Sequence, residues 1–408
     1  MLKLNKNKAI CALADALDYV GVDDLYHGHR VGAMAMQLVK KLGWSDLECL
    51  GAAHLGMLHD CGVSSSQEHG NLTMEMEWSR AKEHCARGAE YLGQSSLLEQ
   101  FAVPVLYHHD RWEELQDVDI SDRDKRLANL IFMADRIDVL AAQERRRDPL
   151  HNPLILLKSG IFNQIKKFSG TLFDPELVEL FLDVGQTDAF WFSCSPEVMQ
   201  NLLDDFDHVD DEMEVSGDEV RSFARLVGRI IDAKSAFTQD HSVKVARLSR
   251  RMGSICGLSE ADLADLEIAG LLHDAGKLRV PDEILDKPGP LNAQERAVIR
   301  RHSFDSAMVL HNLIPNSRIT NWVAMHHERW DGSGYPYSLK KDQLDREAQI
   351  LALCDEFQAL VQCRPYRDSL PPAKVMEIMN QDTAKGAFDP ELMDILRTHL
   401  DEFYEIAR

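Results

Sequence analysis

HSVKVARLSRRMGSICG, His241–Gly257, puts His241, Val245, Leu248 and Met252 on one face of a helix. HGHRVGAMAMQLVKKLG, His27–Gly43, has the same length and the same terminal glycine, a residue that readily closes a helix. Each stretch is followed by a helix-start signal, Ser45 with Glu48 and Ser259 with Asp262. Next come LGMLHDCG, Leu55–Gly62, and AGLLHDAG, Ala269–Gly276, with 32 residues from His27 to His59 and again from His241 to His273. Further helical stripes run through Phe223, Leu226, Val227, Ile230 and Ile231, and through Leu263, Leu266, Gly270 and His273. Strand-like alternation is scarce, so the periodicity predicts an all-α protein.

The correspondence between the halves continues in order. His84 precedes His108 of a His-His pair by 24 residues, and His302 precedes His326 of another by 24. FMADRIDVL carries Asp135 and LALCDEFQAL carries Asp355, each within an apolar helical run. FDPELVELF at Phe173 is echoed by FDPELMDIL at Phe388. One such match can arise by chance between two helices; an ordered series indicates a duplicated unit. Between the halves, Asp204–Glu219 holds nine acidic residues and no Lys or Arg, the composition of a solvated linker or a helix approach. The reading is two tandem helical bundles, 1–200 and 216–408, with an acidic linker at 201–215.

Composition narrows the function. The chain has 408 residues, 45% of them hydrophobic, enough to build a core in each of two domains. No stretch reaches the ~18 uninterrupted apolar residues of a membrane span, and Asp15 and Asp18 break the apolar run near the N-terminus that a signal peptide would need. Eight scattered cysteines without a CxxC pair point to reduced thiols and a cytoplasmic location. A net charge of −22 argues against binding long nucleic acid. A small anionic substrate would need a local positive site, which bound metal ions supply.

Candidate ligands in the C-terminal half are His241, His273, Asp274, His302, His326, His327 and Asp355. Singly, a helical histidine is more often a hydrogen-bonded core residue than a ligand. Here, however, His241 and His273 share inward stripes with Leu, Val and Met. Buried imidazoles and carboxylates must be satisfied, and a metal satisfies several together. The donor set has no thiolate and suits Fe, Mn or another borderline divalent ion better than structural zinc. Asp274, beside His273, can bridge two ions.

His273-Asp274 resembles the doublet of the HD phosphohydrolase superfamily. HHERWDGSGYP, His326–Pro336, followed by CDEFQALVQCRPYR, Cys354–Arg367, resembles the signature of its HD-GYP branch, and the resemblance spans nearly all of 220–400. It implies a metal-dependent phosphodiesterase that opens a cyclic dinucleotide, cyclic di-GMP or 3′3′-cyclic GMP-AMP, to a linear 5′-phosphorylated dinucleotide and on to mononucleotides in some members. It also implies that the seven residues above are metal ligands and that His273, Asp274 and Lys277 are catalytic. Lys277, Arg364 and Arg367 would contact phosphate, and the loop with Gly334, Tyr335 and Pro336 would shape the pocket and offer a surface to signalling partners. Iron or manganese is the expected metal, with magnesium and nickel as alternatives. Family members with three ions carry Glu four residues before the first histidine; Phe237 stands there, so two ions are expected.

The N-terminal half keeps counterparts of all seven ligands: His27, His59, Asp60, His84, His108, His109 and Asp135. Val63 replaces the lysine, and HHDRWEELQDVDI, His108–Ile120, has no glycine loop. The expectation is a second metal site in a degenerate copy with a regulatory or stabilising role. Two alternatives stand beside the cyclic-dinucleotide reading. One is an HD-type nucleotide phosphohydrolase, disfavoured by the GYP segment. The other is a nucleotide-sensing scaffold, disfavoured by the complete C-terminal ligand series.

Overall fold

The computed structural model describes residues 2–18, 26–148, 150, 152–195, 198–199, 201, 213–234, 240–314, 316–363 and 368–408. These residues are predominantly α-helical, with one two-stranded sheet, Leu2–Leu4 paired with Met213–Val215. The chain divides into compact units, Lys3–Glu214 and Val215–Arg408, the latter joined by Leu2. Most of the acidic run between them lies outside the described residues; its last residues form the Met213–Val215 strand and the start of the Gly217–Ala233 helix.

Each unit has the same succession of helices. His27–Lys41, Asp46–Leu58, Ala81–Leu92, Asp122–Arg147 and Pro175–Val184 in the first correspond to His241–Ile255, Glu260–Leu272, His302–Leu313, Arg346–Val361 and Pro390–Thr398 in the second. Local chemistry sets their ends as the sequence led us to expect. Ser45 and Glu48 form a reciprocal capping box, and the Ser259 hydroxyl accepts the Asp262 amide at 3.2 Å. In both FDPEL segments the aspartate caps the helix, Asp174 accepting from Glu176 N and Asp389 from Glu391 N, with proline in the first turn.

The C-terminal core is built around Trp322, Phe223, Phe357 and Phe403, all fully buried. Burying side chains of this size stabilises the fold by about 1.5–3 kcal/mol each. In each unit a glycine sets how closely the doublet's turn meets the next helix. A Cβ on Gly276 would lie 2.1 Å from the His302 carbonyl oxygen, and one on Gly62 would lie 2.0 Å from that of His84. Only glycine lets the turn after each His-Asp doublet press against the next helix, which brings the doublet to the third histidine.

No helix among the described residues is long and apolar enough to cross a membrane. None of the eight cysteines is in a disulfide.

Leu272 is fully buried at the end of the helix that delivers the His-Asp doublet. Leu272→Ala should destabilise the protein by about 2–5 kcal/mol through cavity formation, whereas Ser259→Ala, which removes only a cap, should cost about 1 kcal/mol. Chemical denaturation of both variants tests that order; equal losses would show that helix termini, not the core, limit stability.

Candidate metal centre

In the C-terminal unit most of the candidate ligands stand at helix ends. His241 opens His241–Ile255, His273 and Asp274 follow Glu260–Leu272, His302 opens His302–Leu313, and His326 and His327 follow Ser317–Ala324. Asp355 comes from the buried middle of Arg346–Val361. Three imidazoles are fixed alike: Nδ1–H of His273, His302 and His326 donates to the carbonyls of Gly270 (2.8 Å), Ile299 (2.5 Å) and Val323 (2.6 Å). A carbonyl only accepts, so a proton sits on each Nδ1 and it is Nε2 that is turned inward, where an ion can bind. His241 Nδ1 is held by Gln358 Oε1 at 2.5 Å.

These Nε2 atoms face one another at short range, 3.2 Å for His241–His273, 3.2 Å for His302–His326 and 3.1 Å for His302–His327. Two ring nitrogens this close need a proton or a metal ion between them. Asp274 lies between the groups. Its Oδ2 is 3.4 Å from His241 Nε2 and 3.3 Å from His273 Nε2, and its Oδ1 is 3.4 Å from His302 Nε2 and 4.0 Å from His326 Nε2. Asp355 Oδ1 faces His241 at 3.3 Å and His273 at 3.6 Å, and Oδ2 faces His327 at 3.9 Å. Asp274 Oδ1 is buried with no hydrogen-bond partner. The donor set therefore fits two divalent ions: His241, His273 and Asp355 about one, His302, His326 and His327 about the other, with Asp274 between.

Charge agrees with that fit. Burial opposes ionisation of Asp274 and Asp355, but the surrounding imidazoles, and Lys277 beside Asp274, hold both carboxyls well below their usual range. Burial, then neighbouring imidazoles, pushes His326 down to about 3; burial outweighs the pull of Asp274 and takes His302 to about 4. Both are thus neutral and ready to ligate. For His273, burial is outweighed by Asp274 and Asp355, which raise it to about 10.

Lys277 Nζ lies 2.5 Å from Asp274 Oδ2, at the edge of the cluster. The glycine loop folds back on the ligand pair: Tyr335 N donates to the His327 carbonyl, and the Tyr335 ring lies 4.8 Å from the His327 ring. A Cβ on Gly334 would lie 2.4 Å from Arg329 N, which explains the glycine before Tyr335 and Pro336. Arg364, Arg367 and Phe237 lie outside the described residues.

Three contributors were missed in the sequence. Gln358, one turn after Asp355, orients His241. Buried Glu328 accepts the amides of Tyr337, Ser338 and Leu339 and so shapes the loop; an acid directly after the His pair was its only signal. Arg300 stacks over Tyr335 at 4.6 Å, and no local pattern announces it.

The N-terminal unit gathers its seven candidates in the same way. Asp60 Oδ2 faces His59 at 3.4 Å and His27 at 3.9 Å, and Oδ1 faces His84 at 3.2 Å and His108 at 3.8 Å. Asp135 faces His27 at 3.4 Å and His109 at 3.9 Å.

Helix-borne histidines around a bridging His-Asp doublet define the HD class of metal-dependent hydrolases, and residues 225–392 match the HD domain family. The chain is 39% identical over 407 residues to 3′3′-cGAMP-specific phosphodiesterase 1 of Vibrio cholerae serotype O1, covering 99% of this chain and 94% of that protein. It is 34% identical to a cyclic di-GMP phosphodiesterase of Thermotoga maritima over 185 residues, 45% of this chain and 50% of that one. In fold it resembles the crystal structure of a cyclic GMP-AMP-specific phosphodiesterase of V. cholerae, with a TM-score of 0.63, 23% identity and 97% of each chain covered. The protein belongs to the HD-GYP phosphodiesterases.

The raised His273 sets a pH dependence. Below about 10 the metal-free imidazole keeps the proton that an ion must displace, so loading releases a proton and tightens as pH rises. Calorimetric titration with Mn(II) should show proton uptake by the buffer and affinity rising by up to about tenfold per pH unit between pH 6 and 8. Affinity independent of pH would remove His273 from the ligand set.

Proposed function

We propose that the C-terminal unit hydrolyses a 3′–5′ phosphodiester bond of 3′3′-cyclic GMP-AMP, leaving a linear 5′-phosphorylated dinucleotide, with cyclic di-GMP as the weaker substrate. The observation that carries this reading is the paired arrangement of the C-terminal ligands around Asp274, with Lys277 at its rim. The preference between substrates is supported by the full-length similarity to a cGAMP-specific enzyme, against half-length similarity to a cyclic di-GMP enzyme.

His241, His273, Asp274 and Asp355 would hold one ion, and Asp274, His302, His326 and His327 the other. A bound divalent pair, iron or manganese by its imidazole and carboxylate donors, supplies positive charge that polarises the phosphoryl group and acidifies the attacking water. The chain's own groups position the substrate. Lys277 is part-exposed beside Asp274 and can turn its ammonium to a phosphate oxygen. Arg300, exposed and stacked on Tyr335, presents a guanidinium above a ring that lies 4.8 Å from that of His327. Together they give an anionic substrate cationic donors at the mouth of the cluster. Arg364 and Arg367 are proposed to add to this set. The glycine loop walls the pocket and is the surface proposed to meet signalling partners.

The N-terminal unit is proposed to support this activity rather than share it. It has Val63 where Lys277 stands, and no glycine loop.

Lys277→Ala and Arg300→Ala should each retain bound metal and lower kcat/KM by about ten- to a hundredfold, the loss of one charge-assisted contact. Steady-state hydrolysis of both cyclic dinucleotides by the manganese-loaded chain tests this and the order of preference; faster cleavage of cyclic di-GMP would reverse the substrate assignment. His273→Ala/Asp274→Ala should abolish turnover, while His59→Ala/Asp60→Ala, once shown to be folded, should retain it. The opposite pattern would move the active site to the N-terminal unit.

A further inference from the structure

We propose that the N-terminal unit is a second metal centre, holding divalent ions behind a clamped helix and turning over no dinucleotide. The donors are complete and inward-facing. His59 Nδ1–H donates to Gly56 O at 2.7 Å and His108 Nδ1–H to Val105 O at 2.6 Å, so it is their Nε2 atoms that face the cluster. His59 Nε2 and Asp60 Oδ1 are buried with no hydrogen-bond partner, and His84 and His108 face each other through Nε2 at 3.2 Å. His27, His59 and Asp135 form one ligand group and Asp60, His84, His108 and His109 another. His27 is oriented by a carboxylate, Asp138, at 2.8 Å, where His241 has the amide of Gln358; a charged orienting partner makes the imidazole a stronger ligand.

Among the described residues, the surroundings crowd this centre against a large substrate. The Ser66–Met74 helix is clamped from two sides. Arg87 pairs with Glu68 at 2.5 Å and donates to Gly62 O, while buried Arg136 donates to Leu72 O (2.8 Å), Glu75 O (2.6 Å) and Asp135 Oδ2 (2.7 Å). The cavity lined by His27, Asp60, Val63 and His69 has a volume of about 20 Å³. Among the described residues that space on the His27 and Asp60 side holds a water, whereas a dinucleotide needs a pocket of about 300 Å³ or more. Asp60 keeps 20% of its side chain open, a path for a hydrated cation. The cation at this cluster is Arg136, tied to backbone carbonyls, where the C-terminal cluster has the part-exposed Lys277.

The test counts metal, so it is independent of which dinucleotide the C-terminal unit cleaves. Full-length protein, stripped with chelator and reloaded with Mn(II), should hold about four ions per chain, a pair for each cluster. The isosteric Asp274→Asn variant should keep about two and show no turnover; Asp60→Asn, or His84→Gln if that variant does not fold, should also keep about two. A wild-type count near two, or a folded Asp274→Asn variant with no manganese, overturns the second centre. An Asp274→Asn variant that binds manganese and still hydrolyses dinucleotide overturns its closure.

Discussion

The C-terminal structure depends on one buried carboxylate shared between two sets of imidazoles. Asp274 turns one oxygen to His241 and His273 and the other to His302 and His326. Removing such a group from water is costly unless opposite charge and ligands compensate it. Helices converge on the site with their ends, because only a helix end can present an imidazole whose Nδ1 proton is held by a carbonyl three residues back, as in His273, His302 and His326. Gly276 completes the constraint by allowing backbone contact between the doublet's turn and the His302 helix. Packing and chemistry are thus one requirement at this point: any side chain on Gly276 would separate Asp274 from its second pair of ligands.

The helical architecture was legible because its signals are local. Stripes at 3.6 spacing, serine and aspartate caps, and the doubled His-Asp series can each be read within a few turns, and the helices follow them. The candidate ligands were legible for a related reason, since a residue at a helix end keeps a fixed relation to its helix. What escaped reading is what meets across the fold. Gln358 reaches a histidine 117 positions away in sequence, and Arg136 closes on carbonyls 61 and 64 positions away. Nothing in the immediate neighbourhood of either residue announces those contacts. Glu328 was hidden differently: its sequence neighbours are ligands, but its own work is to hold three amides of the glycine loop.

On the proposed reading, little separates the catalytic cluster from the closed one. Both have five imidazoles, two carboxylates and a nearby cation, so gross charge does not distinguish them. Placement of the cation does. Lys277 stands at the rim on a flexible stem with its ammonium part-exposed, while Arg136 lies buried in a fork whose hydrogen bonds are taken by Asp135, Leu72 and Glu75. An ammonium held by one carboxylate can exchange that contact for a phosphate oxygen, whereas a guanidinium held by a carboxylate and two carbonyls would lose several bonds to do so.

The same contrast explains how a chain with a net charge of −22 can attract a doubly negative ligand. At physiological ionic strength charges are screened over about 8 Å, so the distant acidic surface counts for less than the charges at the mouth of the site. Among the described residues these are Lys277 and Arg300, with Asp274 and Asp355 behind them turned toward the ligand positions. On the proposed reading, selection for an anionic substrate rests on a few cations at the cluster's edge, each placed by an element that also positions a ligand. Lys277 follows the His273-Asp274 doublet by one short turn, and Arg300 ends the helix just before His302. A shift in either element would disturb metal binding and substrate capture together, which ties the positions of both to the same packing around Gly276.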